Sequence, residues 1–162
     1  LITIIIPRHI HRIDKIVKEI EGLKLNVVKH SSNTKNLNDT DIYLVDTYGE
    51  TKKFYHASDI VFMGKSLTGK GGQNPLEPTM YNAAVLHGPN ISNFADTYKL
   101  LDKLKITHKV NGIKSLTNIV NKLMIKKNSH KNYLKIEKIG KKILHETKDE
   151  INSLLNDEIK KT

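Results

Sequence analysis

The chain has 162 residues, 38% hydrophobic and 27% charged, which is enough for one domain with a sizeable core and too apolar for a disordered segment. It has no cysteine, which excludes disulfide frameworks, thiol nucleophiles and Cys-ligated zinc. The net charge of +10 is unevenly spread: residues 101–162 carry 15 Lys/Arg against 7 Asp/Glu, residues 1–100 only 12 against 10. Such a basic half suits an anionic lipid surface, a phosphorylated substrate or nucleic acid, or it reflects lysines that simply solvate helices.

Leu1–Ile6, mostly β-branched and closed by Pro7, predicts a buried parallel strand. It is too short to cross a bilayer and lacks the basic flank of a signal peptide. No Met precedes it, so the expectation is a fragment, a processed product or one half of a split enzyme. Ile10, Ile13, Ile16, Val17 and Ile20 follow at helical spacing, with Gly22 as the stop. Leu25–Val28 predicts a second strand, 30–40 a polar loop, and Asp41–Asp46 a third strand. A short helix is expected over Tyr48–Ser58 and a fourth strand over Asp59–Gly64. A glycine-rich loop (Gly69 to Gly72) and a helix over Asn74–Asn82, with Pro75 in its first turn, come next. Ala83–His87 predicts a fifth strand, Asn93–Leu104 a helix, and Ile106–Val110 a weaker sixth strand. From Gly112 on, only helix is expected.

Strands alternating with helices at this spacing predict an α/β fold, a Rossmann-like doubly wound parallel sheet covered on both faces. A single domain is expected over 1–162, with an α/β core over 1–110 and a Lys-rich helical tail over 111–162. Sheets of this kind bind ligands where strand C-termini meet helix N-termini.

Three segments occupy such positions. Pro7-Arg8-His9, with Arg12 nearby, places a rigid, permanently charged donor fork at a strand end, suited to a phosphate or a pyrimidine carbonyl. In Asp46-Thr47-Tyr48-Gly49-Glu50, either of the first two residues is a candidate helix cap and Glu50 falls in the first turn. Alternatively, the amides of Tyr48 and Gly49 cradle part of a nucleotide, because glycine permits close approach. The third segment, Gly64 through Pro78, runs a glycine loop into a helix N-terminus, an arrangement that presents N–H groups to an anion. Lys65, Ser66 and Lys70 add donors, Gln73 and Asn74 neutral contacts, and Glu77 an acceptor for ribose hydroxyls. The loop has neither P-loop nor dinucleotide-fingerprint spacing. The eight histidines never pair at metalloprotease spacing, and with 6% aromatics and no Trp, base stacking on single-stranded nucleic acid is disfavoured.

Together these segments resemble the 3-deoxy-D-manno-octulosonic acid (Kdo) transferases, enzymes with two facing Rossmann-like domains (the GT-B architecture). The family's C-terminal domain carries Pro-Arg-His, matched by Pro7-Arg8-His9, and Asp-Thr-Met-Gly-Glu, matched by Asp46 to Glu50 with Tyr48 in place of Met. Gly-Gly-Ser-Leu is matched by Gly64-Lys65-Ser66-Leu67, and Gly-Gly-His-Asn-Pro-Leu-Glu-Pro by Gly71 to Pro78 with Gln73 in place of His. Gly-Pro-His-x-x-Asn-Phe appears as Gly88 to Phe94. The likeness covers residues 1 to about 105.

The resemblance implies a CMP-Kdo donor, a lipid A precursor as acceptor, and inverting transfer with no metal and no cofactor. It implies CMP contacts at Pro7, Arg8, Tyr48, Gly49, Glu50, Asn74, Pro75, Leu76 and Glu77, with Ser66 and Gln73 near the sugar and Arg8 stabilising the departing CMP. The general base and acceptor site would belong to an N-terminal domain absent from this chain. Location at the cytoplasmic face of the bacterial inner membrane, held by anionic lipid, follows from the acceptor; nucleic acid is not an expected partner. Another GT-B enzyme using a UDP- or GDP-sugar, and a non-catalytic nucleotide-binding remnant of a split gene, stay open as alternatives.

Overall fold

The structure, a computed structural model, describes residues 1–125 and 132–159. It divides into two compact units, 1–54 and 55–162, each with its own three-stranded parallel sheet.

In the first unit the order is β1-β3-β2, with β1 at Thr3–Ile5, β2 at Val27–Lys29 and β3 at Ile42–Leu44. The central strand β3 buries Ile42 and Leu44 and is followed by buried Val45. A 3-10 turn at Ile10–Arg12 leads into helix α1, Ile13–Gly22, which turns Ile13 and Ile20 inward on one stripe. Asp41 fixes the entry to β3 by accepting from the Asn26 amide at 2.8 Å.

The second unit has the order β4-β5-β6, at Ile60–Phe62, Ala84–His87 and Thr107–Lys109. All four residues of β5 are buried, as a central parallel strand requires. Helix α2 (Thr51–His56) spans the division; α3 (Leu76–Met80), α4 (Ala95–Lys103), α5 (Ile113–Ile125) and α6 (Asn132–Ile159) belong to the second unit. Tyr98 and Leu101, one turn apart on α4, are fully buried in the core with Met63, Val85 and Leu86. Asn82, with φ +64°, accepts from the Tyr133 amide at 3.3 Å and so ties the start of α6 to the turn before β5.

Six strands were expected and six are found among the described residues, all in parallel pairs. Within each unit the three strands form one parallel ladder, β1-β3-β2 in the first and β4-β5-β6 in the second. The expected burial of Leu1–Ile6 is corrected. The strand covers only Thr3–Ile5, Leu1 and Thr3 are exposed, and β1 is an edge strand within its unit. A β-branched run reads alike at the edge and at the centre, because propensity reports pleat packing and not position.

The lysines of the tail over 111–162 are unevenly placed along it. Helix α6 carries five lysines and six carboxylates, so the positive surplus of the C-terminal third lies outside it. No helix of the described residues is long and apolar enough to cross a membrane.

Candidate functional site

Pro7-Arg8 and Tyr48-Gly49-Glu50 leave the same end of two neighbouring strands, since β1 and β3 pair in parallel with Ile5 opposite Leu44. Arg8 is exposed, and so are Tyr48 and Gly49. Gly49 has φ +86°, a left-handed conformation in which a side chain is strained, so the glycine is demanded by the turn itself.

The acids of this segment are arranged differently from the capping expectation. Helix α2 begins at Thr51, three residues later than expected, and Asp46 is too far back to cap it. Asp46 instead accepts from the Ser31 amide at 2.9 Å and the Ser31 hydroxyl at 2.5 Å, joining the segment after β2 to the end of β3. Partial burial pushes its pKa up, but the two Ser31 hydrogen bonds and Lys29 outweigh that, and the net shift is downward.

Glu50 is held by three donors. Oε1 accepts from Lys53 Nζ at 2.8 Å, and Oε2 from the Thr47 hydroxyl at 2.5 Å and from His30 Nε2 at 2.8 Å. The Lys53 and Thr47 hydrogen bonds lower its pKa from 4.5 to about 2. The stability this carboxylate contributes is therefore complete above pH 4.5 and lost as pH falls toward about 2. Acid unfolding followed by circular dichroism should show a shallower slope in that window for Glu50→Gln than for the native chain. Equal slopes would mean that Glu50 is not held as described.

In the second unit the glycine loop follows β4, and the segment from Gly88 onward follows its neighbour β5. The two are stitched together. Ser66 is fully buried; its hydroxyl donates to the Met63 carbonyl at 2.5 Å and accepts from the Gly88 amide at 2.8 Å. The Ser66 carbonyl accepts from the Asn90 amide at 2.9 Å, and the Asn90 side chain donates to the Leu67 carbonyl at 3.1 Å. Further along, the Gly71 carbonyl accepts from the Asn93 amide at 3.0 Å, and the Tyr98 hydroxyl donates to the Gln73 carbonyl at 3.1 Å. Burial, with the charges of Asp102 and Tyr55, pushes the Tyr98 pKa up to about 12, so this hydroxyl stays a donor.

Gly71 (φ +90°) and Gly72 (φ +66°) are buried and left-handed in succession. A Cβ on Gly72 would come within 2.9 Å of the Asn90 carbonyl. Among the described residues neither glycine amide donates to a backbone carbonyl outside a regular element. Asn74 Oδ1 accepts from the Leu76 amide at 3.1 Å and opens α3, Pro75 is buried, and Glu77 is exposed in the first turn. Because α3 has only five residues, the helix-dipole part of the expectation is weak, and the anion-binding argument rests on the loop's own amides. A concavity of about 500 Å³ elsewhere in this unit, lined by Met80, Tyr81 and Tyr133 among others, contains none of these residues.

No protein-family model matches the chain. Curated proteins do. The chain is 29% identical over 157 residues to a 3-deoxy-D-manno-octulosonic acid transferase of Haemophilus influenzae, covering 96% of this chain and 36% of that protein. It is 32% identical over 149 residues to the enzyme of the same name from Rickettsia bellii, covering 88% and 35%. A bifunctional glycosyltransferase/methyltransferase of Fusobacterium nucleatum subsp. nucleatum is 35% identical over 130 residues, covering 79% and 20%. Among solved structures, the C-terminal CMP-Kdo binding domain of WaaA from Acinetobacter baumannii superposes with a TM-score of 0.76 at 26% identity, covering 82% of this chain and 69% of that one. The chain is a homologue of the C-terminal domain of the Kdo transferases. Its α/β fold with parallel sheets is that of the C-terminal half of a GT-B glycosyltransferase. It spans about a third or less of the length of these curated relatives.

Two residues that organise this Kdo transferase homologue are invisible as site residues in the sequence. His30 sits in what reads as a polar loop, yet it meets Glu50 across 20 positions. Tyr98 reads as one apolar position of an amphipathic helix, and only the fold brings its hydroxyl to Gln73. Neither has a local signal, because both contacts depend on which strands are neighbours.

Proposed function

We propose that this chain is the donor-binding part of a glycosyltransferase that moves Kdo from CMP-Kdo to a lipid A precursor. The observation that carries the reading is the glycine loop running into Asn74–Glu77, clamped from behind by the segment after β5, in a chain that superposes on a domain described as CMP-Kdo binding. In the first unit, Pro7, Arg8, Tyr48, Gly49 and Glu50 contact the CMP. In the second, Asn74, Pro75, Leu76 and Glu77 do so, with Gln73 near the sugar. Ser66, whose hydroxyl is committed to Met63 and Gly88, acts by holding the loop in place.

The chemistry assigned to this chain is modest. Arg8 stabilises the negative charge that develops on the departing CMP, a role suited to a guanidinium at a strand end. The transfer inverts the anomeric centre without a metal. The general base and the acceptor site belong to a part of the enzyme beyond this chain, and no carboxylate here is assigned as the base. The acceptor is an anionic glycolipid at the cytoplasmic face of the inner membrane, where the lysine surplus outside α6 adds electrostatic attraction. Vesicle sedimentation that is indifferent to salt would contradict that last point.

Calorimetric titration of the chain with CMP and with UMP tests the reading. Preference for CMP supports it; preference for UMP would instead favour a UDP-sugar enzyme of the same fold. The chain alone should show no Kdo transfer, and turnover without a second polypeptide would contradict the division of labour.

A further inference from the structure

We infer that His30 is a positioning residue for Glu50, and that it leaves this carboxylate one open acceptor position for a hydrogen-bond donor on the nucleotide. The inference rests on the donor-binding reading and deepens it.

His30 follows β2 directly, and its ring lies between strand β3 and helix α2. It meets Tyr43 of β3 edge-on at 5.7 Å and Phe54 of α2 at 5.4 Å between centroids. Both ring nitrogens are engaged, Nε2 with Glu50 Oε2 at 2.8 Å and Nδ1 with the Tyr43 hydroxyl at 2.7 Å. Glu50 is ionised at neutral pH and can only accept, so Nε2 carries a hydrogen. In the neutral ring Nδ1 is then bare and accepts from the Tyr43 O–H. A relay runs from Tyr43 through His30 to Glu50, and it fixes both the tautomer and the ring plane.

The consequence lies in the acceptor capacity of Glu50. A carboxylate oxygen offers about two lone-pair directions. On Oε2 both are taken, by Thr47 and His30. On Oε1 one is taken by Lys53, whose side chain is 76% exposed, and one is open among the described residues. Glu50 is thus a one-point acceptor whose direction is set by His30 and Thr47. The three donors also offset its negative charge, which would otherwise repel a phosphate brought close to it. CMP carries two kinds of donor that fit, its ribose hydroxyls and its cytosine amino group.

The test uses His30→Phe, which keeps an aromatic ring against Tyr43 and Phe54 without a donor, and His30→Gln, which keeps an N–H toward Glu50. Both are titrated with CMP, with CMP lacking both ribose hydroxyls, and with UMP. We expect His30→Phe to bind CMP about tenfold more weakly and His30→Gln within about threefold of the native chain, the difference being one charge-assisted hydrogen bond. We also expect His30→Phe to lose discrimination against the deoxygenated nucleotide if the partner is a ribose hydroxyl, or against UMP if it is the amino group. Native affinity in His30→Phe, equal losses in both variants, or unchanged discrimination against both analogues would overturn the inference. Imidazole nitrogen-15 shifts provide a ligand-free readout of the Nε2-protonated tautomer. If that tautomer is found and the native chain binds no CMP, the donor reading has failed and the nucleotide half of this inference falls with it. If the native chain binds CMP and the tautomer is Nδ1–H, only the inference is overturned.

Discussion

Replacing Gly88 by alanine is expected to lower the stability of the second unit by about 3 kcal/mol, the upper part of the usual range for forcing atoms into a filled site. A Cβ there would lie 2.3 Å from the Ser66 carbonyl oxygen, 2.5 Å from its carbon and 2.7 Å from the Leu67 nitrogen. All three are backbone atoms, so no rotamer change relieves the clash. Nor is the loop free to retreat, because Ser66 is held through its hydroxyl by Met63 and Gly88 and through its carbonyl by Asn90. The end of β5 and the glycine loop must separate, exposing Ser66 and breaking the bond from the Gly88 amide. Gly140→Ala is the matched control. Gly140 lies in α6, where an added Cβ would meet nothing within 4 Å, and alanine there should stabilise by about 0.5–1 kcal/mol through helix propensity. Thermal unfolding of both variants reads the contrast. Similar midpoints for Gly88→Ala and the native chain would mean that the loop is not anchored on β5.

Arg8→Ala should weaken CMP binding by about tenfold to a hundredfold, as expected for losing hydrogen bonds from a charged donor worth roughly 1.5–3 kcal/mol. Its stability should hardly change, because Arg8 is exposed and makes no ion pair among the described residues. Glu77→Gln should lower affinity by about tenfold, since an exposed neutral amide accepts more weakly than a carboxylate. The useful comparison is with Lys141→Ala on α6, where the lysine pairs with Glu137 at 2.6 Å. If affinity came only from the overall field of a +10 protein, removing either cation would cost the same. A specific contact at Arg8 predicts a large loss there and almost none at Lys141. Equal, small losses would remove Arg8 from the site.

Much of this architecture is legible in the sequence because its signals are local. The short, mostly apolar run Ala83–His87 closed by Gly88-Pro89, the helical spacing of Tyr98 and Leu101, and glycines where φ is positive each announce their element within a few residues. The positions of Pro7-Arg8, Tyr48-Gly49-Glu50 and Gly71 to Glu77 at strand ends follow from the same alternation. Illegible are the contacts that depend on strand order. That β3 lies between β1 and β2 is what brings Ser31 to Asp46 and His30 to Glu50. That β4 and β5 are neighbours is what turns Ser66 from an apparent sugar contact into a buried anchor for Gly88. Helix α3, Leu76–Met80, is two residues shorter at each end than its sequence suggests. Asn74 stands outside it and accepts from the Leu76 amide, and Asn82 takes a left-handed φ of +64° in the turn before β5.

The claim that this chain holds the donor is tested most directly by following its backbone amide resonances while CMP is added. Shifts are expected at Arg8, at Tyr48 to Glu50, and at Gly71 to Glu77 apart from Pro75, with the amides of α5 and α6 unmoved. No shifts, or shifts confined to the lysines of the C-terminal third, would contradict that claim.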